Sequence, residues 1–152
     1  MLVPGLSDVR AVVCGSQHSC ALRGDGAVWC WGGNPNGEVG NGTTDNALLP
    51  TSVLGAGSAV AIAAGASSTC ALGMDGRVWC WGENLGNGTT NKSSTPVLVA
   101  GLQDVTDVAT SGAHTCALRA DQSMVCWGRG SSGELGNGSL LTSLVPTLPC
   151  RT

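Results

Sequence analysis

The stretch HSCALRGDGAVWCWG (residues 18–32) sets Cys20 and Cys30 at equal distances either side of Asp25. The arrangement recurs twice. STCALGMDGRVWCWG (68–82) and HTCALRADQSMVCWG (114–128) place Cys70/Cys80 and Cys116/Cys126 at the same spacing of ten. Two short apolar runs flanking an Asp-centred turn read as a β-hairpin, because Asp and Gly tolerate the backbone conformations a tight turn needs. In that hairpin Cys20 faces Cys30, Leu22 faces Val28 and Ala21 faces Trp29. Opposed residues of a non-hydrogen-bonded antiparallel pair bring their Cβ atoms within reach of a disulfide.

The hairpin belongs to a longer repeat. Its first cysteines, Cys20, Cys70 and Cys116, are 50 and 46 residues apart, and the shortfall has one location. WGGNPNGEVGNG (31–42) and WGRGSSGELGNG (127–138) are equal in length, whereas WGENLGNG (81–88) lacks four residues before its Gly-Asn-Gly. The register then recovers, since Pro50, Pro96 and Pro146 each follow Gly40, Gly86 and Gly136 by ten. The 152 residues divide into units of about 5–54, 55–100 and 101–150, forming one repeat domain. Each unit reads as four short strands: VRAVVCG, the SCALR type, the AVWCWG type, and one around the proline. Four strands in about 50 residues are one blade of a β-propeller. The expected fold is all-β, three four-stranded antiparallel blades, with the ring either incomplete in one chain or extended by head-to-tail self-association.

The three cysteine pairs admit a bland reading, six reduced thiols packing as small apolar residues. Disulfides Cys20–Cys30, Cys70–Cys80 and Cys116–Cys126 are favoured, since conversion at one place in every unit is hard to explain by packing. They imply an exported protein, extracellular or at a cell surface, although MLVPGLSDVR lacks the basic and apolar regions of a secretory signal. Zinc is disfavoured because no C-x-x-C pair occurs. His18 and His114 precede a cysteine where unit two has Ser68, which marks a structural hydrogen-bonding position rather than a ligand. No metal and no cofactor is expected.

The hairpin faces differ: Cys20, Leu22, Val28 and Cys30 lie on one side, Ser19, Ala21, Trp29 and Trp31 on the other. Both are apolar, so both need covering. Blade-on-blade packing by Trp29, Trp31, Trp79, Trp81 and Trp127 is favoured over sugar or base stacking because the tryptophans recur in every unit.

Twenty-four Gly, no Phe or Tyr, 11% charged residues and a net charge of -3 exclude a nucleic-acid footprint, which needs concentrated basic surface. No apolar run reaches the roughly 20 residues of a membrane span. Catalysis is not expected. Asp25, Asp75 and Asp121 recur as turn formers, Glu38 and Glu134 as loop residues bonding backbone amides, and no nucleophile elbow or phosphate loop is present. Asn41, Asn87, Asn91 and Asn137 open N-x-[ST] sequons, three of them in the repeated GNG turn.

The elements CAL..DG.VWCWG and GELGNG, with the downstream proline, resemble the regulator of chromosome condensation repeat, in its cysteine-paired bacterial form, over essentially the whole chain. The resemblance implies propeller blades, commonly about seven to a ring. Departures are the deletion near Leu85, Val125 for the first Trp and Gln122 for the turn Gly. Three blades fall short of a closed ring, which leaves apolar end faces. The expected function is a non-catalytic scaffold that contacts itself or another protein, head to tail. Cys14 and Cys150, one near each chain end, are candidates for an inter-subunit disulfide. The alternative is a segment of a seven-bladed propeller acting as a protein-binding or inhibitor module. Guanine nucleotide exchange, which the resemblance also implies, needs basic contact elements that this acidic chain lacks.

Overall fold

Each Asp-centred turn sends the chain back beside itself, and repeating that return builds a meander rather than a crossover. The structure, a computed structural model, describes residues 2–148. Blade 1 comprises β1 (Val9–Cys14), β2 (His18–Arg23), β3 (Val28–Gly32) and β4 (Ala47–Ser52). Blade 2 comprises β5 (Ala59–Ala64), β6 (Ser68–Gly73), β7 (Val78–Gly82) and β8 (Ser93–Leu98). Blade 3 comprises β9 (Val105–Thr110), β10 (His114–Arg119), β11 (Met124–Gly128) and β12 (Ser143–Thr147). Each blade is a four-stranded antiparallel sheet with its strands side by side in chain order. No helix occurs among the described residues.

The central hairpins share one register. Cys20 pairs with Cys30, Leu22 with Val28 and Ala21 with Trp29, and the pairing repeats in β6–β7 and β10–β11. The turn aspartates hold these hairpins by accepting an amide two residues on. Asp25 Oδ1 takes Ala27 N–H at 3.0 Å, Asp75 Oδ1 takes Arg77 N–H at 3.2 Å and Asp121 Oδ1 takes Ser123 N–H at 2.8 Å. The paired sulfurs are bonded at 2.10, 2.17 and 2.13 Å.

The first strands lie innermost, with β5 between β1 and β9, and β6 reaches β9. Two cores result, one per junction. Cys20, Leu22, Val28 and Cys30 of blade 1 pack on Ile62, Ala71 and Trp81 of blade 2. Cys70, Leu72, Val78 and Cys80 of blade 2 pack in turn on Val108, Ala117, Val125 and Trp127 of blade 3. The rule is disulfide face against tryptophan face. Trp81 and Trp127 are wholly buried; each ring withdraws on the order of 200 Å² from water, at most about 5 kcal/mol of apolar burial.

Candidate functional site

Burying an apolar sheet face also buries backbone polar groups, so a junction must supply their partners. Both internal junctions do this with the same two bonds. At the inner end, the first residue of a blade donates to the turn of the blade before: Ala59 N–H to Gly26 O and Val105 N–H to Gly76 O, each at 3.0 Å. At the outer end the GNG loop donates to the last strand of the next blade: Gly42 N–H to Ser94 O and Gly88 N–H to Leu144 O, each at 2.9 Å. Only the loop's backbone takes part, because Asn41, Asn87 and Asn137 turn their Oδ1 atoms to amides of their own loop.

The first junction carries an additional polar cluster. The carbonyl of Glu38 accepts Trp81 Nε1–H at 2.7 Å and Thr69 Oγ1–H at 2.9 Å, and Thr69 Oγ1 lies 2.8 Å from His18 Nε2. With the Thr69 proton committed to Glu38, His18 donates from Nε2, the neutral tautomer whose other nitrogen, Nδ1, has no partner. The loop that presents Glu38 is built on Asn34, which is buried. Its Nδ2 donates to Thr43 O (2.9 Å) and Asp45 O (3.0 Å), and its Oδ1 accepts Val39 N–H (2.9 Å). The Glu38 carboxylate takes Asn36 N–H at 2.9 Å, and Glu134 takes Ser132 N–H at 2.7 Å. The amides of Glu134 and Ser132 hold the Glu134 carboxyl below its usual range.

Burial lowers the His18 pKa, and the nearby Glu38 carboxylate opposes this in part. Neutral His18 is therefore the folded form, and the unfolded chain binds the extra proton. The contribution of His18 to stability is expected to be constant above the ordinary histidine value of 6.5 and to fall as the pH drops below it. His18→Gln, with an amide N–H at the Nε2 position, is expected to flatten that slope in urea unfolding at pH 5 and 7.5. An unchanged slope overturns the assignment.

The second junction lacks the cluster. Ser68 stands where His18 does and meets Thr110 Oγ1 at 3.3 Å. The four-residue deletion shortens the loop that carries the acceptor in blade 1, and Trp127 Nε1 is buried with no partner. Trp81→Phe therefore discards a hydrogen bond, while Trp127→Phe discards an unsatisfied donor. Trp81→Phe is expected to cost about 1–2 kcal/mol more in denaturant unfolding; equal costs overturn the distinction.

At the chain's two outer blades the same faces are uncovered. Leu118 is 42% and Met124 46% exposed, against 4% and 2% for Leu22 and Val28 at the covered face of blade 1. On the opposite end Val12 is 67% exposed, against 8% and 7% for Ile62 and Val108. Trp31 is half-buried there, whereas its counterparts Trp81 and Trp127 are enclosed. Trp29 and Trp79 are also half-buried, and Trp79 borders a shallow depression with Ala56 and Met74. Cys14 is exposed and unpaired among the described residues; Cys150 lies outside them. Among the described residues no cluster of three metal-ligating side chains occurs, and no helix is long and apolar enough to cross a membrane. Glu38's carbonyl and Asn34 escape sequence reading, the first because a backbone acceptor leaves no mark on residue type.

Disulfide face on tryptophan face, strand by strand, defines a β-propeller repeat protein. Models of the regulator of chromosome condensation (RCC1) repeat match residues 9–38, 59–88 and 105–134, and a second RCC1 repeat model matches 25–72 and 75–118. The chain belongs to the RCC1 repeat family. It is 45% identical over 53 residues to protein pim1 of Schizosaccharomyces pombe, covering 34% of this chain and 10% of pim1. Human WBSCR16 superposes with a TM-score of 0.81 at 25% identity, over 92% of this chain and 37% of its own. Yeast RCC1 (Prp20), in its crystal structure bound to Kap60, superposes with a TM-score of 0.86 at 23% identity, over 97% of this chain and 38% of its own. The chain thus spans a tenth of the curated relative and under two fifths of the solved propellers.

Proposed function

We propose that the chain is a non-catalytic scaffold, extracellular or at a cell surface, that acts by protein–protein contact and assembles head to tail with itself. One observation carries this reading: the side chains that close the internal junctions are presented uncovered on the two outer blades. Uncovered apolar faces of this kind mark interaction surfaces. The three hairpin disulfides support an oxidising compartment. Use of the fold for protein contact is supported by Prp20, whose structures concern its binding to Kap60, and to Gsp1p and histones. The turn aspartates are engaged by backbone amides, which supports a structural rather than a catalytic role for them.

Two copies supply six blades, within the four to eight of closed propellers; more copies make an open array. Light scattering on size-exclusion fractions in non-reducing buffer tests the reading. Masses at multiples of 15.1 kDa are expected, and a 15.1 kDa species at every concentration overturns it. A reductant-sensitive ladder on electrophoresis is the expected mark of a Cys14–Cys150 link; a lone monomer band removes that link. A second reading, that these blades complete a larger ring with blades carried elsewhere, is favoured by the 37–38% coverage of the solved propellers. It predicts a monomer that binds added blades.

A further inference from the structure

We infer that the two uncovered faces are the halves of one specific junction, in which the Cys116–Cys126 face of blade 3 receives the Trp31 face of a second copy in the register of the internal junctions. This rests on the self-assembly reading and names its contact. The chain displays the junction's chemistry twice, and each participating position has a counterpart at the open ends. Glu134 stands at the place of Glu38, Trp31 at that of Trp81 and Ser19 at that of Thr69. The Glu134 carbonyl accordingly accepts Trp31 Nε1–H and Ser19 Oγ–H of the second copy, with His114 opposite Ser19 as His18 is opposite Thr69. The two repeated backbone bonds follow in the same register: Val9 N–H to Gln122 O, and Gly138 N–H to Leu48 O.

Homotypic contacts do not satisfy these groups. Two blade 3 faces bring the Glu134 and Gln122 carbonyls together with no Trp31 Nε1–H or Val9 N–H to meet them. Two blade 1 faces bring Trp31 Nε1–H and Val9 N–H together with neither carbonyl. Burying such groups unpaired costs about 1–3 kcal/mol each, so the head-to-tail arrangement is selected.

One position departs from the pattern and sets the strength of the contact. Gly26 and Gly76 sit so close to the following blade that a Cβ would lie 3.1 Å from Ser58 Cα and 3.3 Å from Asp104 Cα. At the outer blade this position is Gln122, with φ +67°. Its Cβ meets the second copy's Asp8–Val9 backbone inside normal contact distance, so the intermolecular junction is weaker than the internal ones and reversible.

A complementation experiment tests the register. Trp31→Ala disables one face and Met124→Glu the other, and each is expected to weaken self-association by roughly tenfold or more. Mixed one to one, they are expected to form a heterodimer and nothing larger, because one intact pair of faces is restored. Gln122→Gly in the otherwise unaltered chain is expected to tighten association several-fold. Should Trp31→Ala fail to fold by circular dichroism, Val12→Glu, at a more exposed position of that face, replaces it. Assembly of the parent chain that both variants leave intact, or a mixture that stays monomeric, overturns the register while the scaffold reading stands. A parent chain that never assembles removes both.

Discussion

Reduction of the three hairpin disulfides is expected to unfold the protein at a temperature where the oxidised chain is intact. Each bond closes a loop of about ten residues and constrains the unfolded chain by about 2–3 kcal/mol. Three together approach about 6–9 kcal/mol, comparable to the whole stability of a domain this size, about 5–15 kcal/mol. The chain has little to offset the loss. Its 24 glycines enlarge the unfolded ensemble, and it has no Phe or Tyr to fill a core. The midpoint of thermal unfolding is expected to drop by about 15–30 °C on full reduction. The bonds also differ in access. Cys20–Cys30 and Cys70–Cys80 are enclosed at internal junctions, while Cys116 on the outer face of blade 3 is partly exposed. Timed alkylation with mass spectrometry is therefore expected to find Cys116 and Cys126 labelled first. A midpoint shift of only a few degrees, or simultaneous labelling of all six thiols, defeats this account.

The fold was legible because its signals are local and repeat. An Asp-centred turn with apolar alternation on both sides fixes a hairpin register, and three occurrences in one order leave a stack of four-stranded sheets. The site was legible only as far as side chains carry it. Trp29 and Trp31 look alike in sequence, both on one face of β3, yet their counterparts part company. Trp81 is enclosed beneath the loop of the preceding blade, while Trp79 sits beside the hairpin turn near solvent. That difference depends on where the preceding blade's loop lands, which residue type does not encode. The four-residue deletion near Leu85 is plain in the sequence. Its consequence, a buried Trp127 donor without an acceptor, emerges only when the missing acceptor is known to be a backbone carbonyl.

Alanine at the three equivalent glycines is expected to separate folding from assembly. Gly40 has φ +74°, and a Cβ there would lie 2.7 Å from Trp81 Nε1 and 3.0 Å from Val53 Cγ1. The ring has no room to retreat, since Trp81 is fully buried and its Nε1 is tied to Glu38 O. Gly40→Ala thus combines left-handed backbone strain with overpacking, about 2–4 kcal/mol. Gly86 (φ +70°) faces Trp127, a ring as fully buried as Trp81, at the same 2.7 Å, but that ring has no hydrogen bond to break, so its alanine costs less. Gly136 (φ +62°) is exposed, so its alanine costs the backbone strain alone, about 1 kcal/mol. Urea unfolding is expected to rank the losses Gly40→Ala, then Gly86→Ala, then Gly136→Ala. Self-association is expected to single out Gly136→Ala. In a head-to-tail junction Gly136 lies against Trp31 of the second copy, so its alanine blocks assembly while Gly40→Ala leaves both outer faces unaltered. Equal unfolding losses at all three would mean that the loop glycines answer to backbone conformation and not to the tryptophan beneath them. A freely assembling Gly136→Ala would mean that no tryptophan docks at that end.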